Sequence, residues 1–177
     1  MERLFFVGIK HSGKTTFARR IAGRFGYSFH DADDLMLSSL QGLSVRQFYI
    51  EYGKDEFMRK EAESVRDLLS SSSESIVLSL GGGAADNAML MDLLKESGSI
   101  IYLVRKEEDM LPVILRHGIP AFLDKDDLEG SFSRVYARRD RAYRQYADHV
   151  IDLGPYRDKD ETEIELYEAL KELGYGR

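Results

Sequence analysis

The stretch 7-VGIKHSGKTT-16 decides the fold of this chain. It continues an apolar and aromatic run, Leu4, Phe5, Phe6 and Val7, of the kind that forms a buried strand. Gly8, Gly13, Lys14 and Thr15 stand at the G-x-x-x-x-G-K-[ST] spacing, and helical periodicity follows from residue 15. Strand, glycine loop and helix in that order make a phosphate-binding loop. The glycines let consecutive backbone N–H groups face phosphate oxygens, and the positive end of the helix adds to the anion site. Lys14 is placed to reach the β- and γ-phosphates of a nucleoside triphosphate, and the Thr15 hydroxyl to bind Mg²⁺. Gly8, Ser12, Gly13, Lys14, Thr15 and Thr16 are the expected nucleotide contacts. His11 occupies a position that varies freely in such loops and is assigned no role.

The bulk numbers narrow the setting. A chain of 177 residues fits one domain with a substantial core. At 43% hydrophobic and 32% charged it reads as globular, and its net charge of −6 comes with no dense Lys/Arg run. The short basic cluster 138-RRDR-141 is local, so nucleic acid and anionic membrane are disfavoured as partners. The absence of cysteine excludes disulfides and thiolate chemistry. The apolar run near Met1 is too short for a signal-peptide core, and no segment approaches the ~20 apolar residues of a membrane span. A cytoplasmic monomer acting on a small molecule is expected.

Apolar runs of strand length at residues 4–9, 75–80, 99–104 and 149–153, with a weaker one at 27–30, alternate with helical spacing. The helical segments are 15–25, 44–52, 55–69, 87–96, 107–116, 128–146 and 160–173. That alternation implies an α/β fold with a mainly parallel sheet covered on both faces. Residues 31–54, broken at Gly42 and Gly53, read as an inserted helical region. The aperiodic stretch 117-HGIPAFLDKDD-127 reads as a mobile loop over a site.

Just past the second expected strand, 29-FHDADDL-35 sets Asp31 and Asp33 at alternate positions. In extended chain both side chains leave one face, towards the crevice that holds the phosphate loop. One carboxylate would support Mg²⁺ and the other accept a proton from a substrate hydroxyl. Capping of the next helix competes with that reading, and Asp34 is left to capping or solvent.

The phosphate loop, the D-x-D, 42-GLSVRQFYIEYGKDEFMRKE-61, 79-SLGGGA-84 and the helix carrying Arg139 and Tyr143 occur in an order and spacing that resembles the shikimate kinases over nearly the whole chain. The resemblance implies a three-layer α/β/α P-loop kinase with a five-stranded parallel sheet in one domain. It also implies a substrate-binding helical region at about 31–61 and a lid at about 112–127. The implied reaction carries the γ-phosphate of ATP to the 3-hydroxyl of shikimate. By matching position, Lys14 resembles the phosphate lysine, Thr15 the metal ligand and Asp31 the acid that supports the metal. Asp33 resembles the acid that binds the acceptor hydroxyls, and Gly81, Gly82 and Gly83 the turn on which shikimate lies. Glu61 matches an acid that organises the pocket, Arg139 an arginine that grips the acceptor carboxylate, and Arg116 one that stacks on adenine.

Two positions depart from that pattern. After Phe57 the family carries an arginine that makes a second carboxylate contact, and here the residue is Met58. Arg59 is adjacent, but one step along a helix turns a side chain by about 100°. Losing one charge-assisted hydrogen bond costs ~1.5–3 kcal/mol, roughly ten- to a hundredfold in affinity. Before Pro120, where the family places a lid arginine, stands Ile119. Such an arginine is worth about 10³-fold or more in phosphoryl transfer, and Arg116, His117 and Lys125 are the nearby candidates to replace it. Two alternatives therefore stay open: a kinase of another small hydroxylated metabolite, such as a sugar acid or nucleoside monophosphate, and an ATP-binding protein with little turnover.

Overall fold

The first apolar run is a strand walled in on both sides: Leu4, Phe5, Phe6 and Val7 are all fully buried. In the computed structural model, which describes residues 1–40, 42–120 and 123–177, this run is β1, Arg3–Val7. The order continues α1 Lys14–Phe25, β2 Ser28–Asp31, α2 Ala32–Ser39, α3 Val45–Ser71, β3 Ile76–Ser79, α4 Ala88–Ser97 and β4 Ser99–Val104. It closes with α5 Glu107–Arg116, α6 Leu128–Tyr146, β5 His149–Asp152 and α7 Lys159–Glu172. A short 3₁₀ turn, Ala84–Asp86, sits between β3 and α4.

Every strand pairing is parallel and the sheet order is β2-β3-β1-β4-β5, so the expected α/β class with a five-stranded parallel sheet holds. Alternate β1 residues feed opposite cores, as a period of two requires. Phe5 and Val7 join Leu78, Tyr102, Val65 and Tyr143 beneath α3, α4, α5 and α6. Leu4 and Phe6 join Ile21, Val77, Leu166 and Leu170 beneath α1 and α7. A third, smaller core of Met36, Leu40 and Phe48 holds α2 against the start of α3.

The strand ends fall within two residues of expectation, because the site loops begin where pairing stops. The segments at 44–52 and 55–69 hold as two helices that meet at Gly53, whose φ of 81° and ψ of −179° are not helical, within the run Val45–Ser71. One local reading changes. Asp31 and Asp33 do not lie on one extended face. Asp31 ends β2 and accepts a hydrogen bond from the Asp33 backbone N–H at 3.0 Å, which starts α2 at Ala32 and puts Asp33 in its first turn. The cap belongs to Asp31 rather than Asp34. Within the aperiodic loop, residues 121–122 lie outside the described residues. No helix among the described residues is long and apolar enough to cross a membrane.

Candidate active site

All five strands deliver residues to one edge of the sheet, the carboxyl-end crevice where open α/β sheets bind ligands. The phosphate loop leaves β1, Asp31 ends β2, the triple glycine leaves β3, Arg105 leaves β4 and Gly154 follows β5.

Gly13 precedes α1 at φ 104°, a left-handed conformation that favours glycine, and no side chain caps the helix. The first N–H groups of α1 are thereby left for a ligand. Ser12 is buried with its Oγ unpartnered among the described residues. Lys14 is also buried and donates from Nζ to the Ile9 carbonyl at 2.9 Å. Burial pushes its ammonium down to about 8, partly offset by Asp33 and Asp31. A polyanion beside it would favour the protonated form further. The adjoining cleft of about 420 Å³ is lined by Gly13, Lys14, Thr15, Thr16, Arg105 and Tyr156, among others.

Thr15 Oγ1 donates to Asp31 Oδ2 at 3.0 Å and lies 3.0 Å from Ser79 Oγ. These are hard oxygen donors of the type Mg²⁺ selects. One carboxylate and one hydroxyl suffice where phosphate oxygens and water complete the shell, so the residues present fit that ion.

Two residues that sequence reasoning missed bind this region together. Arg105 donates from Nε to the Ser12 carbonyl at 3.0 Å and from Nη1 to the Gly154 carbonyl at 2.6 Å. Its guanidinium lies 4.3 Å from the Tyr156 ring centroid, and the Tyr156 hydroxyl donates to the His11 carbonyl at 2.9 Å. The segment from Gly154 onward is therefore a wall of the nucleotide cleft. Arg116, the expected adenine contact, is exposed at the end of α5 and does not line the cleft. Its neighbour His117 does, stacked on His11 with ring centroids 4.5 Å apart.

A second cavity of about 400 Å³ adjoins the loop on the other side. Asp33, Glu61, Arg139 and the three glycines meet there as expected, joined by Lys10 and Lys54. Burial raises the Asp33 carboxyl above its ordinary value and Asp31 raises it further, against the pull of Lys14 and Lys10. Glu61 is raised too, mainly by burial, while an Asn87 Nδ2–H donated to its Oε2 at 2.9 Å works the other way. Asn87 also donates to the Met58 carbonyl at 2.8 Å and caps α4 through its own Oδ1. An asparagine ahead of an apolar helical run was the available signal for that role.

The triple glycine is a spatial necessity at its centre. A β-carbon on Gly82 would lie 2.7 Å from the Lys10 nitrogen and 2.9 Å from its Cα, against rigid backbone. Gly81 faces Asp33 and Glu61, and Gly83 faces Arg139. The buried Tyr143 hydroxyl donates to the Gly82 carbonyl at 3.2 Å and accepts from the Ala85 N–H at 3.3 Å, fixing the turn. Arg139 is buried and donates from Nη2 to Asp86 Oδ2 at 2.9 Å, while Arg138 pairs with Oδ1 of the same carboxylate at 2.8 Å. Met58 lines the cavity. Arg59 does not: Glu56 and Glu63 hold it on another face of α3.

A family model described as shikimate kinase matches residues 10–169. A shikimate kinase from Cupriavidus pinatubonensis is 34% identical over 151 residues, 85% of this chain and 77% of that protein. One from Pelotomaculum thermopropionicum is 30% identical over 175 residues, covering 99% of each. Among solved structures, shikimate kinase from Acinetobacter baumannii in complex with shikimate superposes with a TM-score of 0.80 at 25% identity, over 97% of this chain and 94% of that one.

Proposed function

This chain belongs to the shikimate kinase family and is, with it, an ATP-dependent phosphotransferase; we propose that it carries the γ-phosphate of ATP to the 3-hydroxyl of shikimate, giving shikimate 3-phosphate and ADP. The observation that carries this reading is the pair of cavities on either side of the phosphate loop, with Lys14 in one wall and Asp33 in the other. A donor phosphate on the loop and an acceptor hydroxyl at Asp33 meet across Lys14, whose charge is felt at Asp33.

In this mechanism the α1 N-terminus, Ser12 and Lys14 hold the phosphates, with Thr15, Thr16 and the Arg105–Tyr156 wall completing the nucleotide site. Thr15 and Asp31 would hold Mg²⁺, which when bound would supply charge neutralisation to the phosphates. Asp33 accepts the hydrogen bond of the acceptor hydroxyl and takes its proton as the phosphoryl group moves. Its raised affinity for a proton suits that step. Glu61, fixed by Asn87, orients the ring over Gly81–Gly83, and Arg139 faces the carboxylate. Phosphoryl transfer demands mostly positioning and charge neutralisation, which these groups provide. The region at about 31–61 forms the acceptor wall and that at about 112–127 the lid, in one monomeric cytoplasmic domain.

The test is ADP release from MgATP with and without shikimate, beside other hydroxy acids and nucleoside monophosphates. Stimulation confined to shikimate is expected. Stimulation by a different acceptor, or by none while ATP still binds, overturns the acceptor assignment.

A further inference from the structure

The acceptor cavity contains three cations in different situations. Arg139 is committed to Asp86, which already shares its charge with Arg138. Lys10 and Lys54 form no ion pair and no side-chain hydrogen bond with any described residue, and both are exposed. An acidic acceptor entering here must compete with Asp86 for Arg139, so it needs a cation without a fixed carboxylate partner. The two lysines occupy different ends. Lys10 belongs to the phosphate loop, packs its backbone against Gly82 and acts electrostatically on Asp33. That is the end where the hydroxyl reacts.

Lys54 stands on α3 directly after the Gly53 kink. Residues 54, 57, 58 and 61 are spaced i, i+3, i+4 and i+7, which is one face of a helix. Phe57, Met58 and Glu61 of that face all line the cavity with Lys54. On it Phe57 and Met58 are uncharged and Glu61 is acidic, so Lys54 is its single cation. The kink fits this arrangement, since Gly53 redirects the helix just ahead of the lysine.

Resting on the shikimate assignment above, we infer that Lys54 is a specificity residue that reads the acceptor carboxylate from the α3 wall, in concert with Arg139. An anionic group paired with one flexible, exposed ammonium gains less than with a buried fork, so its loss costs affinity several-fold rather than many thousandfold.

The experiment compares wild type, Lys54→Met, Lys54→Arg and Lys10→Met with shikimate and with its uncharged methyl ester. Lys54→Met is expected to raise the KM for shikimate by about three- to tenfold, with kcat and the KM for ATP unchanged, the pattern of a contact made equally in the ground and transition states. Lys54→Arg should restore the wild-type value, and with the ester Lys54→Met should equal wild type. A rise that is the same for acid and ester, or no rise at all, overturns the inference. So does a rise in the acid KM confined to Lys10→Met. Wild-type protein without shikimate-dependent ADP release overturns the acceptor assignment and this inference with it, whereas normal turnover with an unchanged Lys54→Met KM overturns the inference alone.

Discussion

On the nucleotide side, charge is held by backbone: Lys14 is buried against the Ile9 carbonyl, and Arg105 grips the Ser12 and Gly154 carbonyls. On the acceptor side, charge is held by other charge: Arg139 by Asp86, which also pairs with Arg138. Lys10 and Lys54 there meet solvent. Backbone anchors form with the fold itself, whereas side-chain pairs can be exchanged one residue at a time. Met58, where the resemblance implies an arginine, lies in the acceptor half.

The sharpest way to break this comparison is Lys14→Ala. Removing the buried ammonium should lower turnover on the order of 10³-fold. Because that group is held at a desolvation cost, thermal stability without nucleotide should not fall. Steady-state ADP release and a melting curve check both. Retained turnover would mean that the phosphate loop does not carry the donor.

Asp33→Asn should follow, with kcat reduced by about 10²-fold or more and ATP affinity unchanged by equilibrium titration. In the wild type, the acid limb of kcat/KM should lie above the ordinary aspartate range, because burial and Asp31 raise that carboxyl. A variant that loses ATP affinity instead would move Asp33 to the nucleotide half.

A third test uses pH. The Lys14 ammonium lies at about 8 in the protein without nucleotide. Phosphate anions favour its protonated form, so binding above that value requires uptake of a proton. MgATP affinity should therefore be flat below pH 8 and fall by up to about tenfold per unit above it, measured by calorimetry in buffers of different ionisation enthalpy. Proton release on binding would show the opposite linkage.

The unequal legibility of the two halves has the same physical origin as their unequal anchoring. Residues 7–16 could be read directly because strand, loop and helix are contiguous, and the triple glycine because Gly82 admits no β-carbon. Arg105 and Tyr156 were missed because each is a lone residue brought to the loop by the sheet, 93 positions separating Arg105 from its partner Ser12. Asp86 was missed for the same reason, since its pairing with Arg139 spans 53 positions. The D-x-D was noticed but given the wrong geometry. An aspartate that ends a strand also caps a helix, and the cap prevailed at Asp31. Arg116 carried a resemblance that its place at the exposed end of α5 does not support with any contact to the cleft.

Met58→Arg has the smallest expected effect, and it sharpens the comparison most. Met58 is half-buried on the cavity wall, and its backbone is already fixed by the Asn87 side chain, so a longer side chain can extend without moving α3. The new guanidinium would meet Lys54 on the same helix face and Arg139 across the cavity, and Asp86 offsets only part of that repulsion. The KM for shikimate should therefore fall by about three- to tenfold, short of the hundredfold that a well-placed charge-assisted pair can give. The KM for ATP should stay where it was. If Lys54 carries the carboxylate, its contribution should shrink once arginine stands at 58, so the double variant Met58→Arg with Lys54→Met should lose less than the single lysine change predicts. Additive effects would mean that the two positions touch different parts of the acceptor, and would return the carboxylate to Arg139 alone.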